Sequence, residues 1–213
     1  MGGTDAGPDV VRFADLVARV RGLPGRPMIG ICGAPGAGKS TLAERLVAAL
    51  GAEAALIGMD GYHLAQVELE RLGRAERKGA PDTFDAAGYV HLLRRVRDQD
   101  GATVYAPEFR REIEEPIAGA VPVRPEHRYV VTEGNYLLVD EAPWDQVRTL
   151  LTETWFLAPD ETLRRDRLIA RHRAFGRALD EARERTLGSD ERNAVLINAT
   201  RHAADLVLGA VVG

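Results

Sequence analysis

The chain has 213 residues, of which 45% are hydrophobic and 28% are charged, and its formal net charge is −4. This length is enough for one large domain, and the composition excludes collagen-like, disordered and disulfide-scaffold proteins. A slightly acidic balance creates no general basic field for nucleic acid or an anionic membrane surface, so we expect a small-molecule partner and neither of those two.

The N-terminal residues and the single cysteine indicate the cellular compartment of the protein. Residues 1–13 contain neither a basic stretch followed by an apolar segment nor a run that could span a bilayer. Ala6 occupies the position at which myristoylation of Gly2 requires Ser or Thr. Cys32 has no second cysteine with which to form an intramolecular disulfide. We therefore expect a cytoplasmic protein without a lipid anchor.

Short apolar runs alternate with helical patterns along the chain. The first pattern, from Val10 to Val20, repeats at helical spacing and predicts a helix that ends in a segment rich in Gly and Pro. A second helical pattern extends from Leu42 to Leu50 and ends near Gly51. The predicted strands cover residues 28–32, 55–59, 128–132, 154–157 and 205–208.

Apolar strands that alternate with helices are typical of a parallel sheet covered on both faces, because such strands are buried on both sides. We therefore predict one domain over residues 1–213 with a three-layer α/β fold. The segments at about 61–89 and 105–125 are rich in charge, Pro or Gly and fit neither period. Because ligands bind beyond the carboxyl ends of the strands, we expect these segments to be loops on the substrate side, with ordinary surface connections as the alternative.

Residues 33–41, GAPGAGKST, contain the pattern G-x-x-x-x-G-K-S directly after a predicted strand and before a predicted helix. Glycines let the backbone wrap around an anion, and the helix N-terminus points N–H groups at it. Lys39 adds a compact charge, Ser40 a hydroxyl group for Mg²⁺ and Thr41 a phosphate contact. We therefore predict a P-loop NTPase fold that binds a Mg-nucleoside triphosphate. The predicted binding residues are Gly33, Ala34, Pro35, Gly36, Ala37, Gly38, Lys39, Ser40 and Thr41.

Lysine is rare in this chain, since only Lys39 and Lys78 contribute lysine to the 28 cationic residues. The use of lysine at position 39 indicates that a point charge is needed there, because arginine is planar and bulkier. Lys78 has two interpretations: it is a cation near the substrate, or it is a solvated charge on a loop. A GTPase is excluded, because its Asn-Lys-x-Asp segment needs a lysine that follows asparagine, and neither lysine does.

Carboxylates follow two of the predicted strands. Asp60 ends the strand at 55–59, and Glu133 ends the strand at 128–132. Parallel strands end at the same edge of a sheet, so we expect both acids near Lys39. Glu133 is placed to hold Mg²⁺ or its water, and Asp60 to orient a hydroxyl group and accept its proton during phosphoryl transfer. The alternatives are an ordinary strand-end acid and a turn-forming Asp before Gly61.

These motifs together resemble the phosphoribulokinase/uridine kinase family of small-molecule kinases, which includes the type I pantothenate kinases. The resemblance covers nearly the whole chain. Beyond the phosphate loop it rests on MDGYHL (59–64), RKGAPDTFD (77–85), VYAPEF (104–109), TEGNYLL (132–138) and NAVLINATRHAADLVL (193–208). Two features depart from the family: Pro107 stands where pantothenate kinases have a substrate-contacting histidine, and Gly61 stands where uridine kinases have serine.

The resemblance implies that Asp60 is the catalytic base, that Lys39 and Ser40 bind phosphate and Mg²⁺, and that Glu133 lies beside the metal. It also implies that ATP is the phosphoryl donor. The candidates for the acceptor pocket are Tyr62, His63, Lys78, Asp85, Tyr105 and Arg111. The family includes dimers, so a homodimer stays open.

A predicted helix that starts after Pro159 is rich in arginine. Local acids are expected to pair with some of these side chains: Asp160 with Arg164, Glu161 with Arg165, and Asp180 or Glu181 with Arg177. Arg167, Arg171 and Arg173 have no such partner and repel one another unless an anion joins them. The family resemblance places a helical lid here, at about 160–190. We predict Arg167 and Arg171 as catalytic lid residues and Arg173 as a nucleotide contact, with a solvated helix face as the alternative.

The leading hypothesis is an ATP-dependent kinase that phosphorylates an alcohol group of a small metabolite. The acceptor classes are a nucleoside such as uridine, a pantothenate-like compound and a sugar such as fructose. One alternative is an NTP-binding regulatory or assembly module, which needs neither Asp60 nor an acceptor pocket. The other is a nucleoside monophosphate kinase, for which Arg77, Lys78, Arg110 and Arg111 are the candidate cations.

Overall fold

The computed structural model describes residues 9–213, so the Gly2 expectation lies outside the described residues. The strands in this range are β1 (Asp9–Arg12), β2 (Met28–Gly33), β3 (Ala54–Gly58), β4 (Val104–Arg110), β5 (Glu115–Val123), β6 (Tyr129–Gly134), β7 (Glu153–Leu157) and β8 (Leu206–Val212). The helices are α1 (Phe13–Gly22), α2 (Lys39–Leu50), α3 (Gln66–Arg71), α4 (Ala86–Arg97), α5 (Asp145–Leu150), α6 (Glu161–Ala174), α7 (Leu179–Leu187) and α8 (Ser189–Ala199).

Six strands form the central sheet in the order β1-β8-β7-β2-β6-β3, and every pairing is parallel. All six residues of β2 are buried. Ile29 and Ile31 pack on the side of α1 and α2, whereas Met28 and Cys32 pack on the side of α4 and α5. The sheet therefore lies between two helical layers, and the predicted three-layer α/β fold is confirmed.

The first predicted helix is wrong at its start. Val10 belongs to β1, and α1 begins only at Phe13. β1 pairs with β8 at the edge of the sheet, and Val10 is 70% exposed there. The strand is stabilised by backbone hydrogen bonds to residues almost 200 positions away, which helical spacing of apolar residues does not reveal.

The segment predicted as a loop at 105–125 is instead a β-hairpin. β4 and β5 pair antiparallel and form a separate two-stranded sheet, with an irregular register between Ala106 and Glu108. Pro107 lies at this irregularity, where a residue without a backbone N–H group is tolerated in a strand. The other segment, 61–89, contains α3, several short helical turns and the start of α4.

No helix in residues 9–213 is both long enough and apolar enough to cross a membrane.

Candidate active site

The phosphate loop connects β2 to α2 and depends on glycines in left-handed conformations. Gly36 has a φ of 83° and Gly38 a φ of 97°. A Cβ atom on Gly36 would lie 2.6 Å from the carbonyl oxygen of Arg164, so no other residue fits without a shift of the backbone. This conformation leaves the N-terminus of α2 open to an anion.

Lys39 is the first residue of α2 and is buried, with 8% exposure. Its Nζ atom donates hydrogen bonds to the carbonyl oxygens of Gly33 (2.9 Å) and Ala34 (3.2 Å). Burial lowers the pKa of the ammonium group, and the nearby Glu133 carboxylate opposes that shift. The lysine therefore places a buried positive charge at the loop.

Ser40 and Glu133 meet at the ends of α2 and β6. Ser40 Oγ donates a hydrogen bond to Glu133 Oε1 over 2.9 Å. Burial raises the pKa of Glu133, and the negative charge of Asp60 raises it further, so a cation beside the carboxylate would be favourable. In residues 9–213 no three His, Cys, Asp or Glu side chains are grouped to hold a metal ion. The oxygens of the Ser40 hydroxyl and the Glu133 carboxylate are ligands of the type that Mg²⁺ prefers, and they fit an ion that would also take phosphate and water as ligands.

Asp60 lies in a short helical turn, Met59–Tyr62, directly after β3. Its carboxylate Oδ2 accepts a hydrogen bond from Arg111 Nη2 over 3.1 Å. The turn itself uses the main chain, because the carbonyl oxygen of Asp60 accepts from the N–H group of His63. The carboxylate is thus not needed for the turn and instead lines a cleft together with Lys39 and Glu133.

His63 is held in one orientation beside Asp60. Its ring lies between Phe84 and Phe109, with centroid distances of 4.0 Å and 4.8 Å. The Nδ1 atom is 2.8 Å from the carbonyl oxygen of Asp60. Because a carbonyl only accepts, Nδ1 carries a proton, and burial lowers the pKa of the ring. The neutral ring therefore keeps Nε2 as a hydrogen-bond acceptor for a ligand.

Two clefts lie on either side of the phosphate loop. The first, which we call the β8 cleft, has a volume of about 720 Å³ and extends from Gly38 and Thr41 to the residues Leu208–Val211 of β8. The second, the hairpin cleft, has a volume of about 580 Å³ and extends past His63 to Phe109 of the hairpin. The residues that line both clefts are Lys39, Ser40, Arg111, Arg171 and Phe175.

The three arginines predicted to contact phosphate occupy different positions. Arg167 lines the β8 cleft, with Nη1 3.6 Å from the position of a Cβ atom on Gly38. Arg171 lines both clefts, and burial together with the positive charge of Arg111 lowers its pKa. Arg173 is exposed and lines neither cleft. Within the described part of the chain, none of the three forms an ion pair with a carboxylate.

The local ion pairs predicted for this helix are partly wrong. Asp160 does not pair with Arg164, because its carboxylate accepts from the N–H groups of Thr162 and Leu163 and thereby caps α6. Arg164 pairs with Glu161 and Glu191 instead. Arg165 pairs with Glu191 and not with Glu161. The predicted pair of Arg177 with Glu181 is present.

The predicted acceptor residues divide into two groups. His63, Lys78 and Arg111 line the hairpin cleft. The other three line neither cleft. Tyr62 packs against Tyr89 at a centroid distance of 5.3 Å, Asp85 caps α4 by accepting from the N–H group of Gly88, and Tyr105 is 57% exposed on β4.

Sequence reasoning missed several residues of the hairpin cleft. His172 Nε2 lies 2.8 Å from Asp190 Oδ2, and this contact joins α6 to α8 at the wall of the cleft. Asn193 also lines the cleft and donates to the carbonyl oxygen of Gly79 over 3.3 Å. Asn193 belongs to a segment that carried the family resemblance, but nothing in the spacing of His172 and Asp190 predicts their contact.

Gly61 and Pro107, the two residues that depart from the family pattern, lie close to each other. A Cβ atom on Gly61 would lie 2.5 Å from the carbonyl oxygen of Pro107 and 3.1 Å from its Cγ atom. Pro107 therefore approaches the turn that carries Asp60 so closely that position 61 must be glycine. A serine at position 61 would therefore overlap the hairpin.

We expect Gly61→Ser to destabilise the protein by about 1–3 kcal/mol, because the added atoms overlap backbone atoms of the hairpin. Thermal unfolding measures this effect, and Gly22→Ala is the matched control. A Cβ atom on Gly22 meets nothing within 4 Å, so the control should be as stable as the wild type or slightly more so. Equal unfolding temperatures for Gly61→Ser and the wild type would contradict the close approach.

Known proteins that are similar to this chain include kinases, in agreement with the geometry of the site. The model of the "Phosphoribulokinase / Uridine kinase family" matches residues 28–212. A Schizosaccharomyces pombe protein named "Putative uridine kinase C227.14" is 34% identical over 215 residues, which cover 94% of this chain and 92% of the relative. A solved structure described as a "putative fructose transport system kinase from Silicibacter sp. TM1040" is 38% identical, with a TM-score of 0.83 over 92% of this chain and 98% of that one.

A "Possible Uridine Kinase from Bacillus stearothermophilus" has the same fold, with a TM-score of 0.60, 18% identity, and coverage of 92% of this chain and 97% of that one. The family model covers most of the chain, including the phosphate loop and the ends of β3 and β6. The resemblance predicted from the sequence is thereby confirmed. This chain belongs to the phosphoribulokinase/uridine kinase family and is a kinase with a phosphate-binding loop.

Proposed function

We propose that this ATP-dependent kinase transfers the γ-phosphoryl group of Mg-ATP to a hydroxyl group of a small metabolite, with Asp60 as the base. The observation that supports this most directly is the junction of the two clefts. The β8 cleft has the size of a site for a nucleotide, and it joins the hairpin cleft at Lys39, Ser40, Arg111 and Arg171. A phosphoryl group at this junction is within reach of both clefts.

The side chains at the junction provide the groups that phosphoryl transfer needs. Lys39 and Arg171 offset the negative charge that spreads over the transferring group. Arg111 holds the carboxylate of Asp60, which orients the acceptor hydroxyl group and accepts its proton. Ser40 and Glu133 would hold Mg²⁺, and the bound ion would neutralise phosphate charge. The hydrophobic face of Phe175 lines both clefts and helps to exclude water.

The acceptor is a neutral compound with several hydroxyl groups, a nucleoside or a sugar. Three of the four cations proposed for binding an acceptor phosphate are occupied by carboxylates of the chain: Arg77 by Asp82, Arg110 by Glu108 and Arg111 by Asp60. This weakens the case for a nucleoside monophosphate. The neutral ring of His63 offers Nε2 to a donor such as a second hydroxyl group. The names of two relatives, a putative uridine kinase and a putative fructose transport system kinase, agree with these two classes, whereas other relatives are named pantothenate kinase.

A regulatory module that binds nucleotide without an acceptor has no need of the hairpin cleft. That cleft places Asp60, His63 and Lys78 around one space of about 580 Å³ beside the phosphate loop. Such an arrangement supports the enzyme over the module.

The test is ADP release from Mg-ATP in the presence of nucleosides, pentoses, hexoses, pantothenate and nucleoside monophosphates. We expect one nucleoside or sugar to raise the rate far above the background with water. Stimulation only by a monophosphate or only by pantothenate would contradict the proposed acceptor class. Nucleotide binding without stimulation by any compound would favour the regulatory module.

A further inference from the structure

Arg164 is a buried cation that lines neither the β8 cleft nor the hairpin cleft. Its side chain is only 1% exposed. Three different parts of the chain accept its hydrogen bonds. Nε donates to Glu161 (2.8 Å), Nη2 donates to Glu191 on α8 (2.8 Å), and Nη1 donates to the carbonyl oxygen of Pro35 in the phosphate loop (3.1 Å).

The two carboxylates explain how a guanidinium group can be buried at this place. A buried charge is costly unless it is paired and its hydrogen bonds are satisfied. Glu191 is shared, because it also accepts from the half-buried side chain of Arg165 over 2.7 Å. The ion pairs hold Arg164 in place from α6 and α8, and its remaining donor reaches the loop.

The backbone of α6 packs on the same part of the loop. A Cβ atom on Gly36 would lie 2.6 Å from the carbonyl oxygen of Arg164 and 3.2 Å from Cβ of Leu168. The loop is thus held by a side-chain hydrogen bond at Pro35 and by close packing at Gly36. Both contacts come from the first two turns of α6.

The spacing along α6 relates Arg164 to the arginines of the site. Residues three, four and seven positions apart share one face of a helix. Arg167 and Arg171 therefore lie on the face of Arg164, and they line the β8 cleft and the junction of the two clefts. A rotation or shift of α6 against the loop would change the positions of both guanidinium groups relative to the loop.

We propose that Arg164 is a positioning residue that fixes α6 to the phosphate loop, so that the loop backbone, Arg167 and Arg171 are correctly placed before substrates bind. The expected effect of replacing Arg164 on turnover rests on the proposed function. The expected effect on the loop does not. The loop can be measured in the protein without any substrate.

The experiment measures hydrogen exchange of the backbone N–H groups of Ala34 and of residues 36–39 in the free protein, since Pro35 has none. The variants are Arg164→Met, Arg164→Lys and the control Arg165→Met, which removes a neighbouring arginine that shares Glu191. We expect both Arg164 variants to exchange about tenfold faster or more in the loop, since one lysine Nζ cannot span all three partners. The control should remain within about twofold of the wild type, because among the described residues the side chain of Arg165 bonds only to Glu191 and a partly exposed ion pair contributes little.

Activity and nucleotide binding complete the test. We expect kcat of the Arg164 variants to fall by about tenfold to 100-fold while KM for the acceptor changes less than about twofold, because the arginines act on the transferring group. Unchanged loop exchange in folded Arg164→Met, or an equal effect of Arg165→Met, would overturn the inference. If Arg164→Met does not fold, Arg164→Lys decides between the same outcomes. A wild-type protein that does not bind AMP-PNP would contradict the proposed function, while loop exchange still decides the role of Arg164.

Discussion

Asp60→Asn is expected to lower the rate of phosphoryl transfer by about 10²–10⁴ while the affinity for AMP-PNP stays within about twofold. The amide keeps the size of the side chain but is a poor proton acceptor. Asp60 lies in the hairpin cleft and forms no hydrogen bond with the phosphate loop within residues 9–213. The change should therefore affect the acceptor hydroxyl group and leave nucleotide binding intact.

The measurement combines ADP release in the presence of the active acceptor with calorimetry of AMP-PNP binding. Asp98→Asn is the matched control, since Asp98 is an exposed residue at the C-terminal end of α4 whose carboxylate pairs with Arg97. The control should retain wild-type turnover. A fully active Asp60→Asn enzyme would show that another group accepts the proton. Loss of AMP-PNP binding would show that Asp60 belongs to the nucleotide site.

Lys39→Met is expected to lower turnover by about 10²–10³, because the variant loses a charged donor to the transferring phosphoryl group. Affinity for AMP-PNP should fall as well. Methionine has a similar length and no charge, so it fills the buried position of Lys39 without the cost of burying a cation. The variant also loses the two hydrogen bonds of Nζ to the carbonyl oxygens of Gly33 and Ala34, which offsets this gain, so we expect the folded state to keep most of its stability. Thermal unfolding separates loss of function from loss of fold.

Lys78→Met is the informative comparison, because it replaces the other lysine of the chain. Lys78 Nζ donates to the carbonyl oxygen of Glu114 (2.6 Å) and to Oε1 of Gln66 (3.3 Å) in the hairpin cleft. We expect this variant to bind AMP-PNP normally and to show a higher KM for the acceptor. Wild-type affinity and turnover in Lys39→Met would contradict the assigned phosphate site.

Local patterns account for most of what could be predicted. The phosphate loop is specified by neighbouring residues: its glycines set the backbone, and Lys39 and Ser40 follow directly at the start of α2. The buried strands were found because a parallel sheet covered on both faces needs short, continuous apolar runs. Asp60 and Glu133 could be placed near one another because parallel strands end at the same sheet edge.

The hairpin and the first strand escaped prediction because their stabilising contacts are not local. Pro107, Pro116 and Pro122 make the segment 104–123 similar to a loop, yet antiparallel pairing of β4 with β5 forms two strands. β1 exists only because β8, at the other end of the chain, provides its backbone partners. The hairpin in turn decides which residues line the hairpin cleft: Phe109 and Arg111 do, whereas Tyr105 does not.

The sequence by itself determined the fold class, the phosphate loop and the family, because each depends on residue types at short, fixed spacing. Only the tertiary structure decided where the arginines on α6 lie. Arg164, Arg167 and Arg171 are the same residue type on one helix face, but Arg164 is buried against Pro35 and Glu191, which lie 129 and 27 positions away in the chain. A charged side chain becomes buried or available to a ligand according to the partners that folding brings to it, and those partners are distant in sequence.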